Sequence, residues 1–194
     1  PEEMERVMDE WRRLAAERQR IAELQEPDID IRRRRAILEA ANRAGMGAAL
    51  TSLANEAFAG SPEELRADWT AGHDGYHSAP GGHYHVEICP SKPGGLAKII
   101  EYRREVFEAF KDLQMEYVWI WPYDQGGCTC SECAPWGANG FLRAAEAEAK
   151  LIREYWPKAK TVLSTWYFDH FIDGEWEGLD RAFSEKKPEW VDYI

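Results

Sequence analysis

The chain has 194 residues, 44% of them hydrophobic, and sets 24 Lys+Arg against 35 Asp+Glu for a net charge of −11. That balance argues against nucleic acid and anionic membrane surfaces as partners, since both need a basic face, and the apolar content argues against wholesale disorder. Nine Trp, eight Tyr and seven Phe give it an unusual aromatic weight.

Residues 2–24 are rich in helix formers and in opposite charges three and four apart, so a solvated surface helix is expected, within an N-terminal helical segment over 1–28. Pro27 interrupts it, and Asp28 or Asp30 caps a second helix that runs to about Ala44 and stops at Gly45. The RRRR run at 32–35 lies among many acids on that amphipathic helix and reads as a solvated face. Residues 46–53 (MGAALTSL) read as a buried strand, and Ser61-Pro62-Glu63-Glu64 as a helix start. A Gly, His and Pro-rich loop covers 71–82. Residues 83–89 (HYHVEIC) form a second strand, followed by a helix from about Gly95 to Leu113. A third strand at 116–121 leads through a loop at 122–137 into a helix ending near Trp156. A fourth strand covers 160–168, and Glu189 to Ile194 (EWVDYI) begins a fifth. No apolar run approaches the roughly 20 residues that span a bilayer.

Strands alternating with helices imply an α/β fold with parallel pairing. The strand starts are spaced by about 36 residues, the size of a βαβ unit. Neither a Gly-rich dinucleotide turn nor a P-loop follows an early strand. The expectation is therefore a (β/α)8 barrel of the TIM type, with residues 29–194 supplying about five of its strands, the middle of a barrel of about 250 residues or more.

Alternation puts His83, His85, Glu87 and Cys89 on one face of the second strand. That face is either a satisfied polar layer or holds a functional group, Glu87 first among them. The third strand ends in WIWPYDQGG. Trp119, Trp121 and Tyr123 share a parity, and Asp124 emerges at its end either to cap the loop or to act on a sugar held by the rings. Trp166, Tyr167 and Asp169, followed by His170, repeat the theme after the fourth strand, where Trp166 serves core packing or a sugar platform.

Cys128, Cys130 and Cys133 form CTCSEC, and Cys89 is the one other cysteine. As neighbouring strand ends these could bring four thiolates together as a structural zinc site, with disulfides and free thiols as the alternatives. Clustered cysteines read as thiolates also favour a cytoplasmic location.

The acid at a strand end followed by CTCSEC, with Cys89 upstream, resembles the zinc loop of family 42 β-galactosidases. The GMGAAL, HVEICPS and WPYDQGG strands are similar to β-hexosaminidase-type and α-glucuronidase-like barrels. That resemblance implies a glycoside hydrolase in which Asp124 is the acid that orients the substrate, while Gln125 stands where the family carries its general acid. The function expected is carboxylate-assisted glycosidic hydrolysis by Asp124, Glu87 and Asp169, with His85, Trp121, Tyr123, Gln125, Trp166 and Tyr167 binding sugar. The alternatives are a metal-dependent hydrolase using His83, His85 and Glu87, and a non-catalytic carbohydrate-binding barrel.

Overall fold

The structure is a computed structural model that describes residues 27–58, 61–68, 85–122, 127–184 and 187–194, with backbone alone at 27–30, 58, 85 and 86. Most of the expected N-terminal segment therefore lies outside the described residues.

Helix α1 (Pro27–Arg43) leads into strand β1 (Ala48–Leu53) through Gly45, whose φ of +72° is the left-handed conformation that ends helices on glycine. Two contacts seat α1. Asn42 exchanges hydrogen bonds with the backbone of Gln114, and the Arg35 guanidinium clasps both oxygens of Asp112. Strand β4 (Met115–Trp121) pairs in parallel with β1, and β5 (Lys160–Leu163) pairs in parallel with β4, giving the order β1-β4-β5. The expected fifth strand is a single parallel bridge from Tyr193 to Val162, placed beside β5 as the alternation of elements implies.

Helices α2 (Gly95–Glu108) and α3 (Gly140–Tyr155) precede β4 and β5 and pack on one face of this sheet. Val118, Ile120 and Leu163 point into that layer and join Phe107, Phe141, Leu151 and Ile152 in the core. In α3 the buried positions Phe141, Ala144, Ala145, Glu148, Ala149 and Ile152 recur at helical spacing, and the alanines let the backbone approach closely. A fourth helix, α4 (Glu175–Phe183), packs against the short 3-10 turn Trp136–Ala138.

The described residues do not form the expected (β/α)8 barrel; what remains of that expectation is a small parallel sheet with helices between its strands. The strand expected between β1 and β4 is displaced. Strand β2 (Glu56–Phe58) follows β1 after a two-residue turn and pairs antiparallel with β3 (His85–Glu87), so β1 meets β4 directly. Asn55 makes that departure. Its carbonyl accepts from the Ile88 amide, and its side-chain amide donates to the carbonyls of Ile88 and Gly127. An alternating strand carries no label for its partner, which is why the periodicity of HYHVEIC fitted both arrangements. The helix expected after Ser61 is only the 3-10 turn Glu63–Leu65, because Arg66 turns extended and bridges to Ile88. The fourth strand ends at Leu163, and residues 164–170 form a turn in which Tyr167 and Asp169 take φ of +62° and +58°.

Candidate functional site

The four cysteines converge. Cys89 sits in the turn between β3 and α2, where its carbonyl accepts from Lys92. Gly95 lies so close to that carbonyl that any side chain would collide with it. Cys128, Cys130 and Cys133 lie in the loop after β4, and the Cys133 and Ala134 amides both donate to the Cys130 carbonyl. The Cys89 sulfur is 3.8 Å from those of Cys130 and Cys133, and all four sulfurs lie within 4.8 Å of one another. None is in a disulfide. This cluster could hold a metal ion. The route differs from the one expected: Cys89 follows the antiparallel β2–β3 pair, not a strand beside β4.

Groups around the cluster set its electrostatics. The Ser91 hydroxyl is 3.1 Å from the Cys133 sulfur and accepts from the Arg143 guanidinium. Asp68 accepts from the Thr129 amide at 2.9 Å, from the Thr129 hydroxyl at 3.1 Å and from the Cys128 thiol at 3.4 Å. Partial burial opposes ionisation of Asp68, but the donors of Thr129 and Cys128 hold its carboxyl below the usual range. Burial pushes the Cys89 thiol up, and the hydrogen bond with Cys133 together with burial pushes Cys128 up strongly. None of Asp68, Ser91 and Arg143 carries a sequence pattern that would single it out.

The other face of the parallel sheet carries tryptophans. Register places Thr51, Trp119 and Val162 in one row and Leu53 and Trp121 in the next. Trp119, on the sheet, is 42% exposed, a high value for a parallel sheet, which is ordinarily covered on both faces, and Trp166, in the turn after β5, is 43% exposed. Trp121 and Trp166 pack at 5.0 Å between ring centroids, Trp166 and Tyr167 at 4.2 Å, and Tyr167 stacks on Phe171 at 5.4 Å. A cleft of about 700 Å³ opens there, lined by Tyr117, Trp119, Ser164, Thr165, Trp166 and Tyr193 among others, and among the described residues every side chain lining it is uncharged.

Of the residues expected at the site, the structure brings together Trp121, Trp166 and Tyr167. Tyr123, Asp124, Gln125 and His83 lie outside the described residues, as does the side chain of His85. Glu87 is 6% exposed on β3, opposite Glu56. Asp169 caps α4, its Oδ1 accepting from the Glu175 and Trp176 amides at 2.6 and 3.4 Å. Trp136 is fully buried, and its indole donates to the Pro122 carbonyl at 2.8 Å. Sequence reasoning missed Glu175. It is completely buried and accepts from the Gly137 amide at 2.6 Å and the Asp169 amide at 3.1 Å, although in EWEGLD it reads as an ordinary acid near a helix start.

Comparison of the chain with protein-family models, curated proteins and solved structures finds no match. No helix among the described residues is long and apolar enough to cross a membrane.

Proposed function

We propose that this chain binds carbohydrate in the aromatic cleft and hydrolyses a glycosidic bond there, with a structural zinc ion in the four-cysteine cluster. The observation that carries the reading is the uncharged cleft of about 700 Å³ between Trp119 and Trp166. Exposed indole faces stack on the apolar faces of sugar rings, and hydroxyls such as those of Ser164, Thr165 and Tyr193 suit sugar hydroxyls. Asp124 follows Trp121 by three residues and is the proposed catalytic or substrate-orienting carboxylate. Asp169, already engaged by the α4 amides, serves this reading by fixing the turn that carries Tyr167.

Zinc is favoured by the sulfur spacing. Zn–S bonds of about 2.3 Å arranged tetrahedrally need sulfurs about 3.8 Å apart, and Cys89 already lies 3.8 Å from both Cys130 and Cys133. Four thiolates fill the shell and leave no position for water, so the ion's role is structural. When bound, it supplies a cross-link between the turn after β3 and the loop after β4.

Three measurements test this. Titration of the full chain with neutral hexasaccharides such as cellohexaose is expected to show binding that Trp166→Ala weakens about tenfold, the loss of one aromatic contact. Asp124→Asn is expected to abolish turnover with little change in melting temperature, and retained turnover rejects its role. Elemental analysis is expected to find about one zinc per chain, lost together with thermal stability in Cys130→Ser.

A further inference from the structure

The cysteine cluster is linked to the segments that carry the cleft's tryptophans by a series of contacts, most of them buried. The ring of Trp136 is pressed between two glycines that border the cysteines. A Cβ on Gly127, next to Cys128, would stand 2.6 Å from the ring, and one on Gly140 would stand 2.5 Å from the ring and 2.8 Å from the Cys133 Cβ. On its polar edge the same indole holds the carbonyl of Pro122, the residue after Trp121. One residue further on, Gly137 packs against the Phe168 ring and gives its amide to Glu175. The other oxygen of Glu175 takes the Asp169 amide, and Asp169 in turn takes the Glu175 amide, closing a clasp around the turn that carries Trp166 and Tyr167. That turn holds two non-glycine residues at positive φ, Tyr167 and Asp169. Such conformations are uncommon away from glycine and persist where surrounding contacts impose them.

We infer that Trp136 and Glu175 are positioning residues through which the metal-bound cysteine loop holds the end of β4 and the 164–171 turn, the two segments that carry Trp119 and Trp166 into the cleft, in their binding geometry. The inference rests on the zinc and carbohydrate readings above. A cross-link between Cys89 and the 128–133 loop fixes the 127–140 segment. Trp136 carries that constraint to Pro122 and Trp121, and Glu175 carries it to Asp169 and the Trp166–Tyr167 pair. Neither residue touches the cleft.

Amide hydrogen exchange of the full chain, metal-free and with zinc added, tests the inference without relying on activity. In the native chain, zinc is expected to slow exchange across 164–171 about tenfold or more, as well as across 127–134. In Trp136→Phe, which keeps an aromatic ring but loses the indole donor, and in Glu175→Gln, zinc is expected to bind and still protect 127–134. The effect on 164–171 is then expected to fall below about twofold, and cellohexaose affinity to stop responding to zinc. Zinc binding that leaves 164–171 unchanged in the native chain, or protects it equally in both variants, overturns the inference. A chain that takes up no zinc overturns it together with the zinc reading. A chain that takes up zinc but not cellohexaose rejects only the carbohydrate reading, and the exchange data still decide this one.

Discussion

Gly140 shows how little space the cysteine loop has to spare. A methyl group there would meet the Trp136 ring and the Cys133 Cβ, neither of which is a flexible chain end. Gly140→Ala is expected to destabilise the chain by about 1–3 kcal/mol, the usual cost of overpacking, and to weaken zinc uptake at the same time. Denaturant melts and zinc titration check the two effects. Arg103 makes a different kind of demand. Arg103 is 8% exposed, and its guanidinium donates to the carbonyls of Leu53 and Glu56 and faces the fully buried Glu148 at 3.7 Å. Burial raises the Glu148 pKa, and the Arg103 charge opposes that rise. Arg103→Ala strands both carbonyls and an acid, and is expected to cost about 3–5 kcal/mol at neutral pH. An acid whose folded pKa exceeds its unfolded value penalises folding as pH rises through that gap, so the variant's deficit should shrink on acidification. A deficit independent of pH would mean that Glu148 is not part of it.

Helix α1 is attached mainly along one side, through Arg35, Ile31, Leu38 and Asn42. The hydrogen bond from Arg35 holds the Asp112 carboxyl down at about 2, from an ordinary 3.8. A depressed carboxyl stabilises the fold above its unfolded pKa, and that contribution fades as pH falls from about 4 toward 2. Asp112→Asn is expected to lower the melting temperature by roughly 1–3 °C at neutral pH, the pair being exposed, with the difference vanishing near pH 2. Thermal melts of both chains across that range check it. The element was legible from the proline that interrupts the run before it and from its glycine stop, and β1, β4, α2, α3 and β5 were legible from their residue patterns. The order of strands was not. Asn55 sends the chain out of the sheet by hydrogen bonds to Ile88 and Gly127, partners 33 and 72 residues away. The cysteine cluster was readable because thiol chemistry restricts what four such residues can do together. Glu175 and Trp136 were not, since their roles depend on backbone amides and carbonyls that carry no residue identity.

On the carbohydrate reading proposed above, the acidic surface and the uncharged side chains lining the cleft both favour neutral over acidic sugars. A net charge of −11 surrounds the molecule with a repulsive field for anions, and the described residues that line the cleft between Trp119 and Trp166 include no cation to offset it. Stacking on indole faces depends on apolar contact and is little affected by ions. Repulsion between charges about a Debye length apart, roughly 8 Å at physiological salt, is largely screened as salt rises. Cellohexaose affinity is therefore expected to change by less than about twofold between about 20 and about 500 mM NaCl. A uronic acid hexasaccharide of the same length should bind more weakly at low salt and gain affinity as salt is added. Calorimetric titration at both salt concentrations decides between these outcomes. Tighter binding of the uronic acid at low salt would point to cations at the site, supplied from beyond the described lining, and would reject the neutral-sugar assignment.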